Sequence, residues 1–324
     1  MKKKQLIHSL IVALTMLTIG CQIQKEKCYK PKIASEWWTI AENPDLGEYT
    51  SPKQQPVDYG IWQAKDGTWQ LWSCIRHTNC GGNTRLFYGW EAQNLTDSIW
   101  TPIGIMMEAD TTVGERLGGL QAPHVIVKDN LYYMIYGGWD QLCLATSEDG
   151  KHFERVINDE GTTEIFTGPY DNSRDAMTIL VDGLYHCYYT GHIIGETEKN
   201  IKAAIFCRTS TDLYNWSEPK MVSGGGSVAD MDNWYGGDAE CPFVVNYNDK
   251  FILFRNIRYG ENNLNVQYCS DDPQNFGIDT DSLMVGELPI AAPEVIEYNN
   301  EYYIASLKST LDGIKMARLE FVEK

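Results

Sequence analysis

Asp58-Tyr-Gly-Ile-Trp62, followed by Asp66-Gly67-Thr-Trp-Gln-Leu-Trp72, reads as an apolar strand, a tight polar turn and a second strand rich in aromatics. Four more copies follow. They are Ala122-Pro-His-Val-Ile-Val with Asp129-Asn130-Leu-Tyr-Tyr, Arg174-Asp-Ala-Met-Thr-Ile-Leu-Val with Asp182-Gly183-Leu-Tyr-His, Glu240-Cys-Pro-Phe-Val-Val with Asn248-Asp249-Lys-Phe-Ile, and Ala292-Pro-Glu-Val-Ile with Asn299-Asn300-Glu-Tyr-Tyr. Asp-Gly, Asp-Asn and Asn-Asn tolerate positive φ, so they close two-residue hairpins whose twist suits the flanking strands. A small antiparallel unit returning every ~50–65 residues has the period of propeller blades. Five units use up the chain and predict an all-β, five-bladed propeller over residues 36–324. Side chains at the start of each inner strand should then converge on one axial funnel, where chemistry is to be sought.

The N-terminus reads differently. Lys2, Lys3 and Lys4 precede an apolar stretch from Leu6 to Ile19, and Gly20-Cys21 follows. That is a charged n-region and a short h-region, the pattern of a secretory signal over residues 1–20. A small residue directly before cysteine points to lipoprotein processing with Cys21 lipidated, although Thr18 stands where such signals carry Leu. Residues 21–35 are polar and read as a lipidated tether, and residues 36–57 as an irregular lead-in. The expected location is the bacterial cell envelope, with the membrane a partner only through the lipid.

Acidic residues outnumber basic ones, 44 to 27, for a net charge of −17. This balance argues against nucleic acid as a partner, and the chain is expected to be a monomer. Ten Trp and nineteen Tyr suit packing between sheets and also stacking on the apolar faces of sugars. Trp37, Trp38, Trp90 and Trp234 are candidate platforms. Of nine cysteines, Cys74 with Cys80 and Cys187 with Cys207 are candidate bridges in an exported chain, while most of the others sit in apolar strand patterns. No spacing reads as a zinc site. Ser-Asp-aromatic runs at Ser147–Phe153, Ser210–Trp216 and Ser270–Phe276 read as loop punctuation. Gly224-Gly-Gly-Ser227 opens a glycine-rich loop that runs up to Glu240.

Aligned on the aromatic after each turn, the inner strands open with Asp58, Pro123-His124, Asp175, Glu240 and Pro293-Glu294. Three carboxylates at one end of an axis repel one another, a cost that needs a function. Glycoside hydrolysis wants such a set: one carboxyl protonates the leaving oxygen while another handles water or the anomeric carbon.

These features resemble glycoside hydrolase family 43, whose five-bladed propeller is shared by families 32, 62, 68 and 117. Asp58, Asp175 and the Glu240-Cys-Pro242 step carry the resemblance over residues 55–321. It implies Asp58 as general base, Asp175 as the group that tunes and orients the acid, and Glu240 as general acid in an inverting reaction. Tyr59 and Ala176 stand where family 43 has proline, and Arg174-Asp175 with Glu240-Cys241-Pro242 are closer to family 32. A retaining β-fructosidase and a non-catalytic glycan-binding lipoprotein are therefore the alternatives. Arg174, His124, Trp90, Trp234 and Glu294 are expected to contact the carbohydrate. No cofactor is required. The resemblance implies that His124 either binds sugar or ligates an axial calcium, but the family's histidine usually comes from the fifth blade, where Glu294 stands here, a departure that counts against the metal. It favours arabinofuranosides, xylosides or galactosides as substrates.

Overall fold

The computed structural model describes residues 27–169, 171–192, 203–229 and 239–324. Each strand pair read from the sequence extends outward into an antiparallel sheet. Blade one comprises Gln55–Gln63, Trp69–Arg76, Leu86–Ala92 and Thr101–Met107. Blade two holds Gln121–Lys128, Leu131–Gly137 and Leu142–Ser147, with Glu154–Arg155 and Glu164–Phe166 both pairing on the last. Blade three comprises Asp171–Val181, Leu184–His192, Ala203–Ser210 and Lys220–Gly224, and blade four Glu240–Tyr247, Lys250–Arg258, Leu264–Ser270 and Met284–Leu288. The five inner strands neighbour one another in order, and that of blade five, Glu294–Tyr298, returns to that of blade one. The ring is closed.

Closure uses both ends of the chain. Blade five takes Glu294–Tyr298, Glu301–Leu307 and Gly313–Glu323 from the C-terminus, and Tyr29–Ile33 and Trp38–Glu42 both pair with Gly313–Glu323. Part of the stretch read as a tether, and part of the lead-in, are thus blade strands. Their short runs alternate too briefly to announce a strand; the exposed edge of Gly313–Glu323 gives them ladder partners, and the Thr39 and Ile40 carbonyls also accept from the Ile99 and Trp100 amides.

Four inner hairpins close with two residues, through left-handed pairs at Asp129-Asn130, Asp182-Gly183, Asn248-Asp249 and Asn299-Asn300. The first does not. Gln63 pairs with Trp69, leaving a five-residue loop in which only Gly67 is left-handed. The Ser-Asp-aromatic runs are structural: Asp149 accepts from the Lys151 and His152 amides and Asp212 from those of Tyr214 and Asn215. Phe153 then packs edge-on against Trp62 and Trp72 of the preceding blade.

The eight cysteines in the described residues are free thiols. Cys207 lies opposite Tyr188 rather than Cys187, so the two thiols point to opposite faces of their sheet. Cys74 donates instead to the Leu120 carbonyl, and Cys80 to that of Arg85.

Inner strands approach closely at Gly60, where a Cβ would lie 2.4 Å from the Pro123 carbonyl oxygen, a backbone atom with little freedom to yield. Gly60→Ala should therefore destabilise the propeller by about 1–3 kcal/mol, read as a lower thermal midpoint. Leu180→Thr, at an exposed position of blade three, should leave that midpoint within error. Equal midpoints for Gly60→Ala and the parent would disprove the close approach.

Candidate active site

One backbone feature places the functional side chains. Asp58, Ala122, Asp175, Cys241 and Ala292 all have positive φ, between 35° and 58°. In blades one to four the pairing register slips at this point. A bulge with one left-handed residue bends each strand and re-aims its side chains toward the axis. These five residues are therefore equivalents around the ring. Glu240 is not the counterpart of Asp58: Cys241 is. Glu240 precedes the bulge, as do Val57, Gln121, Arg174 and Ala291. Level with Asp58 and Asp175 stand Ala122, Cys241 and Ala292 rather than the expected Pro123-His124, Glu240 and Pro293-Glu294, because an alternating pattern does not reveal an inserted bulge residue.

The bulge still brings the three expected carboxylates into one buried cluster with Arg174. Arg174 is ion-paired with Glu240, and its Nε lies 3.5 Å from Asp175 Oδ2. His192 Nε2 is 3.4 Å from the same Glu240 oxygen. Asp175 Oδ2 accepts the Cys241 amide at 3.3 Å, and Asp175 Oδ1 is buried without a hydrogen-bond partner. Asp58 Oδ1 receives the Cys241 thiol at 3.1 Å and the Tyr259 hydroxyl at 3.2 Å, with Tyr259 Oη 2.8 Å from the thiol sulfur. Asp58, Asp175, Cys241 and Glu294 line a cavity of about 30 Å³, room for about one water.

Burial pushes the Asp175 carboxyl up, and the charge of Asp58 pushes it further, so it rises to about 7 despite Arg174. Burial also opposes ionisation of Glu240, but the Arg174 charge and His192 outweigh it and hold that carboxyl well below the usual range. Burial, reinforced by the neighbouring carboxylates, drives the Cys241 thiol and the Tyr259 phenol well above their ordinary values, so both remain donors to Asp58. The raised Asp175 carboxyl is thus able to take up a proton close to neutrality.

The other expected residues divide. His124 and Glu294 reach the axis deeper down, with His124 Nδ1 3.9 Å from Glu294 and Nε2 donating to the Thr178 carbonyl at 3.2 Å. Burial raises the Glu294 carboxyl. An axial calcium asks for six to eight oxygen ligands. Here one imidazole nitrogen is taken by a carbonyl, and the carboxylate facing the other is alone, so these residues do not fit that ion. Trp90 is a correction: it is 2% exposed within the core, packed edge-on against Tyr88. Trp38 packs on Tyr303, and Trp37 lies under the Lys315 ammonium. Trp234 and Cys21 lie outside the described residues. Tyr259, Cys241 and His192 were not singled out from the sequence. Tyr259 and His192 lie at or just past the ends of second strands, where no repeat marks them, while Cys241 had only its place beside Glu240 as a signal.

A carboxyl raised in the fold binds a proton that the unfolded chain has released, so stability falls as pH rises from about 4 through about 7. Asp175→Asn should remove that fall, raising the thermal midpoint relative to the parent more at pH 8 than at pH 5. The depressed Glu240 acts in the opposite sense, losing stability only as acid protonates it. A parent-minus-variant difference that does not change with pH would exclude a raised Asp175.

No family model and no curated protein matches the chain. Solved structures do. It is similar to a thermostable family-43 glycoside hydrolase, with 18% identity and a TM-score of 0.63 over 85% of this chain and 92% of that one. It is similar to the GH43_1 enzyme from Xanthomonas citri complexed with xylotriose, with 13% identity and a TM-score of 0.61 over 86% and 89% of the two chains. The catalytic domain of a Coprinopsis cinerea GH62 alpha-L-arabinofuranosidase gives 13% identity and a TM-score of 0.56 over 87% and 96%. At these identities the likeness establishes the shared fold, the five-bladed β-propeller.

Proposed function

We propose that this protein is a glycoside hydrolase that inverts the anomeric centre, with Asp58 as general base and Glu240 as general acid. The observation that carries this reading is the convergence of Asp58, Asp175 and Glu240, from three blades, on one buried cluster with a single arginine. The similarity to xylosidase and arabinofuranosidase folds supports a carbohydrate substrate. Asp58, held by two neutral donors, is oriented to take a proton from water. Glu240 needs a proton of its own, which its pairing with Arg174 denies it at rest. A sugar hydroxyl that draws the Arg174 guanidinium away removes positive charge from Glu240 and raises its proton affinity. The cluster's proton then passes from Asp175 to Glu240 and on to the leaving oxygen.

The observation favouring a protein that only binds glycans is that same Arg174–Glu240 pair, which leaves the acid ionised at rest. Two isosteric variants separate the readings. General acid and base groups contribute factors of about 10²–10⁴ each, so Asp58→Asn should lose that much turnover on every glycoside. Glu240→Gln should lose it on natural oligosaccharides and less on aryl glycosides, whose leaving groups need little protonation. The first-formed product, followed by proton NMR, should have the inverted anomeric configuration. Because the proton rests on Asp175, kcat/KM should fall as pH rises through about 7. Glycan binding without turnover, unchanged in both variants, would defeat the enzyme reading.

The N-terminal pattern supports placement at the cell envelope through a lipid on Cys21. Cys21→Ser should move the protein out of the membrane fraction or leave it uncleaved, and unchanged fractionation would disprove the anchor.

A further inference from the structure

Hydrogen bonding accounts for only part of the arrangement at the bulge ring. Asp58, Asp175 and Cys241 each bring one donor atom to the axis, and those atoms lie within 4.8 Å of one another with all three residues buried. Asp175 Oδ1, buried and unpartnered, belongs to a residue that lines the adjoining cavity. A carboxylate oxygen shut away from water and from every donor is costly unless a cation or water meets it. Charge points to a cation, since three carboxyl groups here meet one guanidinium, and that guanidinium is engaged with Glu240.

The donor set selects among cations. Tyr259 Oη, 2.8 Å from the Cys241 sulfur and 3.2 Å from Asp58 Oδ1, is a fourth donor atom beside two of the three. One sulfur and three oxygens suit a borderline-soft ion that accepts four ligands, with sulfur at about 2.3 Å and carboxylate oxygen at about 2.0–2.2 Å. Calcium prefers six to eight oxygens and gains little from a thiol. Asp175 is also held in place: the Cys241 amide donates to its Oδ2, and Arg174 Nε lies 3.5 Å from the same oxygen, the kind of support that orients metal ligands.

We propose that Asp58, Asp175 and Cys241, with Tyr259 as fourth donor, form a binding site for zinc or a similar thiophilic divalent cation. Binding forms a metal–sulfur bond as the thiol proton passes to solvent, and the proton held by Asp175 leaves as well, so affinity rises with pH. The site itself does not depend on the glycosidase reading. On that reading, however, an occupied site withholds Asp58 from water, and zinc is a reversible inhibitor.

Cadmium is the probe, because a thiolate bound to cadmium absorbs in the ultraviolet. The full chain, reduced and stripped with chelator, should gain that band on adding one equivalent of cadmium and lose it to competing zinc. The band should survive in Cys28→Ser and Cys80→Ser, the two partly exposed thiols among the described residues, and vanish in Cys241→Ser. Asp175→Asn, which keeps the thiol, should weaken cadmium binding at least tenfold and carries the test if Cys241→Ser does not fold. No band in the parent, a band that survives in Cys241→Ser, or unchanged affinity in Asp175→Asn overturns the site. Cadmium binding in a protein that turns over no glycoside leaves the metal site standing and defeats the glycosidase reading instead.

Discussion

The left-handed residue at the start of each inner strand is the constraint on which the rest of the molecule depends. Asp58, Ala122, Asp175, Cys241 and Ala292 adopt a conformation that costs an ordinary residue roughly 1–2 kcal/mol. None is glycine, and the closed ring of inner strands imposes the bend regardless. The bend sorts side chains into two tiers. The bulge residues form one ring around the axis, and those just before them form a second. Asp58, Asp175 and Cys241 belong to the first tier, and Arg174 and Glu240 to the second. Strain of this kind persists where the surroundings over-determine the backbone, and it gathers at functional sites.

The second constraint is charge. Arg174 is set among three carboxylates in a site with little water, and it settles on Glu240, with His192 alongside. That choice decides the states of the other two acids. Asp175 is left beside Asp58 with only a longer contact to the guanidinium, so burial and like charge keep a proton on it. Asp58 is steadied by the neutral donors Cys241 and Tyr259 rather than by a cation. The cluster is a coupled set in which moving one charge re-addresses the proton of the others. Drawing Arg174 away would therefore change the proton affinity of its neighbours.

Repeats that set blade number also set where acids meet, and both were legible in the sequence. The strand-turn-strand pattern, with its Asp-Asn, Asn-Asp and Asn-Asn turns, carries local information that survives in any context, because those turns prefer left-handed pairs by themselves. That Asp58, Asp175 and Glu240 share one cluster followed from the repeat. Other features were not local. Whether Trp90 stacks on a ligand or fills a core depends on the neighbouring strands that bury it. Whether Cys187 and Cys207 bridge depends on a register that places Tyr188 opposite Cys207. Tyr29–Ile33 and Trp38–Glu42 become strands only because the last strand of the chain offers them an edge.

By itself, then, the sequence determined the blade count and most inner turns, since each rests on short-range conformational preference repeated along the chain. Tertiary structure alone decided the one-residue offset that puts Cys241 rather than Glu240 level with Asp58. It also decided the arrival of Tyr259 and His192 and the pairing of Arg174 with Glu240. Those outcomes depend on ring closure, which bends every inner strand through a left-handed residue, alanine and cysteine as well as the more tolerant aspartate, and on the distances between charges that only the closed ring defines.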